Sequence, residues 1–360
     1  MKAALISLGS ISSKWTAEAM KKYFDSVDSL DIRKIEINIG AKKDARLLYD
    51  RKPLEKYDCI FAKGSFRYAA LLRAVTSFLQ KDSYMPIQDN AFTLVHNKLL
   101  THIVLQQTDI PMPITYLTPT ALSAKIVLKK VNYPIVIKFP EGTQGKGVMF
   151  AESFAAASSI LDALQTLKQP IIIQEYVETG STDIRAIVIG SKVVAAMQRI
   201  AVHGEKRANI HAGGLGEAVE LDTHTKNIAI KAAKAMGAEI CGVDILQGIK
   251  GPMVIELNIS PGLQGIKKAT GIDVADHIAK HLYKSTKERK KTNVTDGKKS
   301  VLEDLGIDDS LKNENEICFN LDIRGNRILL PNIATKLSNF NENQEVCLKI
   351  KPNEIIIKKL

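Results

Sequence analysis

Residues 134–148, ProIleValIleLysPheProGluGlyThrGlnGlyLysGlyVal, join an apolar strand carrying one lysine to a turn with three glycines and a second lysine. Side chains alternate along a strand, so Ile135, Ile137 and Phe139 take one face while Val136 and Lys138 take the other. A lysine on an otherwise apolar strand is costly to bury unless an anion meets it. Gly142, Gly145 and Gly147 let backbone N–H groups approach a ligand closely, and Lys146 adds charge. These residues alone fit two readings, a phosphate cradle or an edge-strand lysine beside a plain hairpin turn.

With 360 residues the chain has room for two or three domains around cores of useful size. Its composition, 45% apolar and 25% charged, is that of a globular protein in water. No apolar run reaches the roughly 18 residues a membrane span needs. The first residues read as a strand rather than a signal sequence. Cys59, Cys241, Cys318 and Cys347 are scattered, which argues against a disulfide frame or zinc site and predicts a reducing cytoplasm. The net charge of +11 suits a polyanion, an acidic protein tail or an acidic small molecule. Part of that excess is local: Lys284, Lys287, Arg289, Lys290, Lys291, Lys298 and Lys299 crowd a stretch that reads as a solvated linker.

The fold class is α/β. Residues 1–91 alternate strand and helix periods (strands near 3–8, 32–39 and 57–62, helices over 14–27 and 67–79), which predicts a small parallel sheet in an open α/β domain. Residues 92–285 form a second, mixed domain. It has a helix over 94–107, strands over 134–139 and 171–176 around an alanine-rich helix, and a hairpin over 184–199 that turns at GlySer. A helix over 224–236 has Asp222 or Thr223 as its N-cap and Gly237 as its stop. Residues 286–314 read as a charged linker, and 315–360 as a small β-rich unit.

Two later stretches sharpen the first. In MetValIleGluLeuAsn, Glu256 and Asn258 lie two apart and share a face, and Asp244 sits on the preceding strand. If 244 opposes 256, three hard oxygens converge, the donor set Mg²⁺ requires, and 247 would close opposite 253 around a five-residue loop. The plainer reading is three polar residues on a solvated sheet face. IleIleIleGlnGluTyrVal, 171–177, reads as a core strand that could end by presenting backbone groups to an adenine edge.

From about 92 to 282 the chain resembles the ATP-grasp ligases, and among them the RimK-type amino-acid ligases. The stretches that carry the resemblance are 96–98, 141–148, 174–177, 183–190, 193–199, 209–214, 242–245 and 256–266; the first 90 residues match less specifically, best over 61–73. The resemblance implies a two-lobed ATP-grasp domain behind a pre-ATP-grasp domain. It also implies ATP as cosubstrate with two Mg²⁺ ions, or Mn²⁺ in their place. By the same resemblance Lys98 and Lys138 hold the ATP phosphates under the loop of Gly142, Gln144, Gly145, Lys146 and Gly147. Glu175, Tyr176 and Val177 border adenine, and Asp183 faces the ribose. Asp244, Glu256 and Asn258 hold the metal. Arg199, Arg207 and Asn209 contact the nucleotide, the transferred phosphoryl group or an acyl phosphate. Glutamate is the favoured amino acid, and the acceptor is a carboxylate on a protein C-terminus, carrier protein or coenzyme. Where the family commonly carries an arginine before its glycine pair, this chain has Ala212, which bears on the carboxylate substrate. His203 and His211 read as structural.

Residues 316–360 resemble an AbrB-type swapped hairpin. Such a unit implies a homo-oligomer, and dimerisation is favoured over DNA binding because no dense basic stripe is present. A DNA-associated regulator with a nucleotide-sensing ATP-grasp domain is the alternative to a ligase.

Overall fold

The computed structural model describes residues 1–40, 46–140, 147–201, 215–304, 322–325, 327–330, 345–351 and 354–359. Two compact units divide the chain, Met1–Arg289 and Lys290–Leu360.

The first unit opens with β1 (Lys2–Ser7), α1 (Ile11–Met20), β2 (Ser26–Asp31), β3 (Ile35–Asn38), β4 (Arg46–Tyr49), β5 (Lys52–Pro53), β6 (Cys59–Ala62) and α2 (Ala69–Leu79). Strands β2-β1-β6 form the expected parallel sheet. Its second strand, however, is Ser26–Asp31, not 32–39. Residues 35–38 pair with β4 in a separate antiparallel sheet, β3-β4-β5. SerValAspSerLeuAsp hides its strand character behind polar residues, and its pairing with β1 overrides that weak local signal.

Next come α3 (Ala91–His96) and α4 (Lys98–Gln107). The sequence pattern predicts one helix here; the structure breaks it at Asn97, which leaves helical geometry and accepts hydrogen bonds from the Leu99 and Leu100 amides at 3.1 and 3.2 Å. The break makes Lys98 the first residue of α4, and its amide donates to the Pro140 carbonyl at 2.9 Å. That bond fixes the start of α4 beside the end of the lysine-bearing strand.

A four-stranded antiparallel sheet follows, built from β7 (Thr115–Thr118), α5 (Ala121–Val127), β8 (Ile135–Lys138), β9 (Met149–Ala151), α6 (Phe154–Leu164) and β10 (Ile171–Glu175), in the order β7-β10-β8-β9. It owns a core. Ile135, Ile137, Ile171 and Ile173 pack with Ala121, Ala124, Leu128, Ala157 and Leu161 of the two helices. Alternation then turns Val136, Lys138, Ile172 and Gln174 to the opposite face.

The larger sheet consists of β11 (Thr182–Ile189), β12 (Lys192–Ile200), β13 (Leu215–Ala218), then α7 (Thr223–Ala235), β14 (Ile240–Gly248) and β15 (Gly251–Asn258), ordered β13-β12-β11-β14-β15. The β11–β12 hairpin turns at Gly190 and Ser191 as expected, and Asp222 is the cap of α7, accepting from Thr225 N at 2.6 Å. This sheet shares one core with the N-terminal sheet. Then α8 (Gln264–Thr270) leads to α9 (Val274–Asp304). Residues 286–304, expected as linker, are thus helical. Val274, Ala275, Ile278, Ala279 and Leu282 anchor the helix in the core, and the lysine-rich run beyond continues it because Lys and Glu are good helix formers.

In the second unit, β16 (Asp322–Arg324) pairs antiparallel with β17 (Arg327–Leu329), and β18 (Val346–Lys351) with β19 (Glu354–Lys359). Cys318 lies outside the described residues. Among the described residues no helix is long and apolar enough to cross a membrane.

Gly190 has φ of +59°, and a Cβ there would stand 2.8 Å from Cε1 of His281, whose Nε2 meets Glu239 at 2.8 Å. Gly190→Ala should therefore destabilise the first unit by about 1–2 kcal/mol, read as a lower thermal midpoint, while Ser191→Ala next to it should change little.

Candidate active site

Lys138 ends β8 with only 7% of its surface exposed. Its ammonium donates to Gln174 Oε1 on the neighbouring strand at 2.9 Å. Gln174 Nε2 in turn meets His102 Nε2 at 2.8 Å and Thr115 Oγ1 at 2.7 Å. The other ring nitrogen of His102 lies 2.6 Å from the Lys98 carbonyl, one helical turn earlier. One arrangement of protons satisfies all four contacts: Nδ1–H of His102 donates to Lys98 O, and Nε2 accepts from Gln174. Burial, then the positive charges of Lys138 and Lys98, push His102 down to about 4, so the neutral ring this chain needs is the stable one. Burial, reinforced by Lys98, lowers Lys138 to about 8.

The larger sheet supplies the opposing charges. The β14–β15 register sets Asp244 opposite Glu256 and Gly242 opposite Asn258, as the convergence required. A bulge after Asp244 shifts the remainder, so Gly248 opposes Gly251 around a two-residue turn instead of the expected five-residue loop. Asp244 is buried and held by two arginines. Arg185 donates to it through Nε and Nη2 at 2.8 and 2.7 Å, and Arg199 Nη2 lies 2.9 Å away. Burial would raise this carboxyl, but the arginines prevail and hold it down to about 2. Burial and the adjacent Asp244 charge raise Glu256, while Lys98, Arg185 and Lys138 pull it back. Glu256 thus lies within electrostatic reach of Lys98, at the start of α4, and of Lys138, at the end of β8. Asn258 Oδ1 accepts from Ser260 N at 2.9 Å, which fixes the amide at the end of β15.

Asp183 has a different neighbour from the one expected. Both its oxygens accept from Arg199, at 2.5 and 2.8 Å, so it orients that arginine. Burial and Asp244 push it up, to about 6, against the pull of Arg199. Glu175 closes β10, its amide donating to the Ile114 carbonyl at 2.9 Å. The Tyr176 ring packs edge-on against Phe150 with centroids 6.0 Å apart, and Val177 lies against Gly248, where a Cβ would come within 2.6 Å of its Cγ1. Gly147 has φ of +76°. Gly142, Gln144, Gly145, Lys146, His203, Arg207, Asn209, His211 and Ala212 lie outside the described residues.

The sequence reading assigns no role to Arg185, Gln174, Thr115 or His102. Arg185 had a signal: it lies two residues from Asp183 and so shares its face. Gln174 also shares the Lys138 face once β8 and β10 are neighbours. His102 had one in its four-residue spacing from Lys98.

Among the described residues no three His, Cys, Asp or Glu side chains cluster as a metal site. The candidate set is two carboxylates and one amide, all oxygen donors, with two acidic groups crowded together below four cations. That chemistry fits a hard divalent cation completed by phosphate oxygens, not a zinc-type site. As a whole, the arrangement sets two lysines within electrostatic reach of a carboxylate and its neighbouring oxygen donors, a charge pattern suited to a polyanion with a cation.

Comparison with known proteins agrees. A family model described as the RimK-like ATP-grasp domain matches residues 95–282. A probable alpha-L-glutamate ligase of Marinomonas sp. (strain MWYL1) is 38% identical over 280 residues, spanning 76% of this chain and 92% of the relative. One from Methanococcoides burtonii is 37% identical over 295 residues, 80% of this chain and 97% of the relative. Among solved structures, the ATP-grasp ligase PsnB complexed with minimal precursor, Mg and ADP superposes with a TM-score of 0.62 at 17% identity, covering 79% of this chain and 98% of PsnB. The D-alanine–D-alanine ligase of Bacillus anthracis gives 0.58 at 15% identity, over 81% and 99%. At such identities the structural matches carry the fold, while the sequence matches carry the family. This chain belongs to the RimK-like ATP-grasp family and is an ATP-dependent ligase.

Proposed function

We propose that the protein joins the amine of glutamate to a carboxylate acceptor, with an acyl phosphate as intermediate. The observation that carries this reading is that Glu256, paired across the sheet with Asp244, feels the charges of Lys98 on α4 and Lys138 on the small sheet. The names of the sequence relatives support glutamate. The net charge of +11 suits an acidic acceptor such as a protein tail or a glutamate-bearing coenzyme.

In this reading Lys98 and Lys138 bind the phosphate chain, and the 142–147 loop covers it. The Glu175 carbonyl and Val177 amide meet adenine, and Tyr176 borders it. Asp244, Glu256 and Asn258 hold Mg²⁺, two ions in the full complement, with Mn²⁺ able to replace it. The metal supplies neutralisation of the phosphate oxygens during transfer. Arg199, held by Asp183 and Asp244, turns its guanidinium towards the transferring phosphoryl group, joined there by Arg207 and Asn209. Gln174 and His102 keep Lys138 aimed.

The chemistry asks little covalent work of the protein. A free carboxylate is a poor electrophile because oxide is a poor leaving group. Its oxygen attacks the γ-phosphorus, ADP departs, and the acyl carbon now carries phosphate. The amine attacks that carbon, a C–N bond forms, the C–O bond to phosphate breaks, and the amine releases a proton. Positioning and charge neutralisation are the contributions this cleft is built to make. The second unit is proposed to join copies of the chain, because its strands expose Ile323, Leu348, Ile350 and Ile355, apolar surface that so small a unit does not bury alone.

Incubation with ATP, Mg²⁺, glutamate and candidate acceptors should release ADP and add glutamate masses to an acceptor by mass spectrometry. ADP release with no glutamate incorporation into any acceptor would sink the glutamate assignment. Glu256→Ala should cut turnover at least about a hundredfold without altering the circular dichroism spectrum; retained activity would show that the metal lies elsewhere.

Lys138 yields a proton-linkage test. Its folded pKa of about 8 lies below the ordinary lysine value, so a growing fraction is neutral as pH rises from about 8. Phosphate restores the charge. ATP-analogue binding at about pH 9 should therefore take up protons, seen by calorimetry in buffers of different ionisation heat, and Lys138→Arg should abolish the uptake. Light scattering should give a multiple of the chain mass for the intact protein and a monomer after truncation at 304; a monomeric intact chain would overturn the oligomer.

A further inference from the structure

Lys63 stands just past the end of β6, with only 3% of its surface exposed. Its amide donates to the Ile6 carbonyl at 2.9 Å, extending the β1–β6 pairing one step beyond Ile6 opposite Ala62. Lys63 therefore stands beside Ser7. Unlike Lys138, which has Gln174, its ammonium makes no hydrogen bond or ion pair with a described residue; it lies 5.8 Å from the centroid of the Phe61 ring. A cation so buried costs stability that no described side chain repays.

Its position is informative. In the order β2-β1-β6 the chain leaves β1 for one flank and later returns to the other, so the carboxyl ends of β1 and β6 border the crevice where open α/β sheets take ligands. On the β1 side, Ser7 Oγ accepts from the Gly9 amide at 3.1 Å. Gly9 itself has φ of +73° and open space where a Cβ would stand. The crevice is also tied to the metal strand: Ser12 Oγ, in the first turn of α1, accepts from the Leu263 amide at 2.8 Å. Leu263 ends the turn that follows Asn258 at the tip of β15.

We propose that Lys63 anchors a carboxylate-binding subsite at the carboxyl ends of β1 and β6, holding a substrate carboxylate other than the one that is phosphorylated. The assignment rests on the ligase reading above. Both substrates contain such a group. When glutamate is the nucleophile neither of its carboxylates reacts, and an acidic acceptor carries further carboxylates beside its reacting one. Each needs a cation away from the phosphate lysines, and Lys63 is a cation already desolvated.

The test uses the full-length chain with Lys63→Met, which keeps side-chain length and removes charge, and Lys63→Arg, which keeps charge. Ligand-free Lys63→Met should melt at the same or a higher temperature than wild type, because an uncompensated buried charge is gone; a drop of several degrees would mean a structural partner and would overturn the subsite. With an ATP analogue and Mg²⁺ present, thermal shift and calorimetry are then run with glutamate, other amino acids and glutamyl-glutamate. Wild type should bind at least one of these carboxylates, Lys63→Met about tenfold or more weakly, Lys63→Arg close to wild type, and all three should bind the ATP analogue alike. A free amino acid responding identifies the amino-acid substrate as the source, and glutamyl-glutamate alone responding identifies the acceptor. Equal binding by wild type and Lys63→Met, or no carboxylate binding by wild type, overturns the proposal. If glutamate fails but another amino acid binds in a Lys63-dependent way, the glutamate assignment falls and the subsite stands.

Discussion

Two carboxylates held side by side in the interior set the terms for this molecule. The antiparallel register of β14 and β15 places Asp244 opposite Glu256, and like charges at that separation oppose each other's ionisation. Around this pair the sheet collects cations. Arg185 lies directly across from Asp244 on β11, and Arg199, opposite Asp183 on β12, reaches Asp244 from the next strand. The result is a graded set of acids: Asp244 saturated by arginine, Asp183 sharing one arginine, and Glu256 left nearest to the lysines of the other sheet. In the proposed function, the field that a polyanion and its metal require is arranged beforehand, so little reorganisation is needed when charge moves.

The second wall is built on a different principle. The small sheet has a core of its own on one face, which frees the opposite face to carry Lys138 and Gln174. Lysine is flexible, and a flexible ammonium makes a poor clamp. Here it is fixed by a chain of hydrogen bonds through Gln174 to His102 and back to the carbonyl of Lys98. Both lysines are thereby parts of one network, although 40 positions separate them. Neutral His102 is essential to that network, because an imidazolium has no acceptor to offer Gln174. Ser12 of α1 accepts from the Leu263 amide, which ties the N-terminal elements to the turn that follows β15.

What could be read from the residues alone was what depends on near neighbours. Alternation at 134–139 placed Lys138 on the face away from Ile135 and Ile137, and that is where it lies. The Gly190–Ser191 hairpin and the Asp222 cap were likewise legible, since each rests on periodicity or turn chemistry within a few residues, whereas the pairing of 244 with 256 was one of two readings and a bulge and a two-residue turn lie behind it. Strand Ser26–Asp31 was not, because its apolar content is low and only pairing with β1 makes it a strand. The break at Asn97 was missed because the apolar period runs through it. Residues 286–304 looked like a linker because apolar residues are scarce there, yet propensity carries the helix on.

The sequence by itself determined the class of fold, the order of its parts and the oxygen and lysine pairs of the proposed site, because residue types and periods of 2 and 3.6 are local properties. Only the tertiary structure decided which partners those groups keep. Asp244 belongs to Arg185 59 residues away, and Gln174 to His102 72 residues away. It also decided that Lys63 is buried without a partner among the described residues. Such pairings depend on strand register and on the packing of separate sheets, and no window along the chain contains both members.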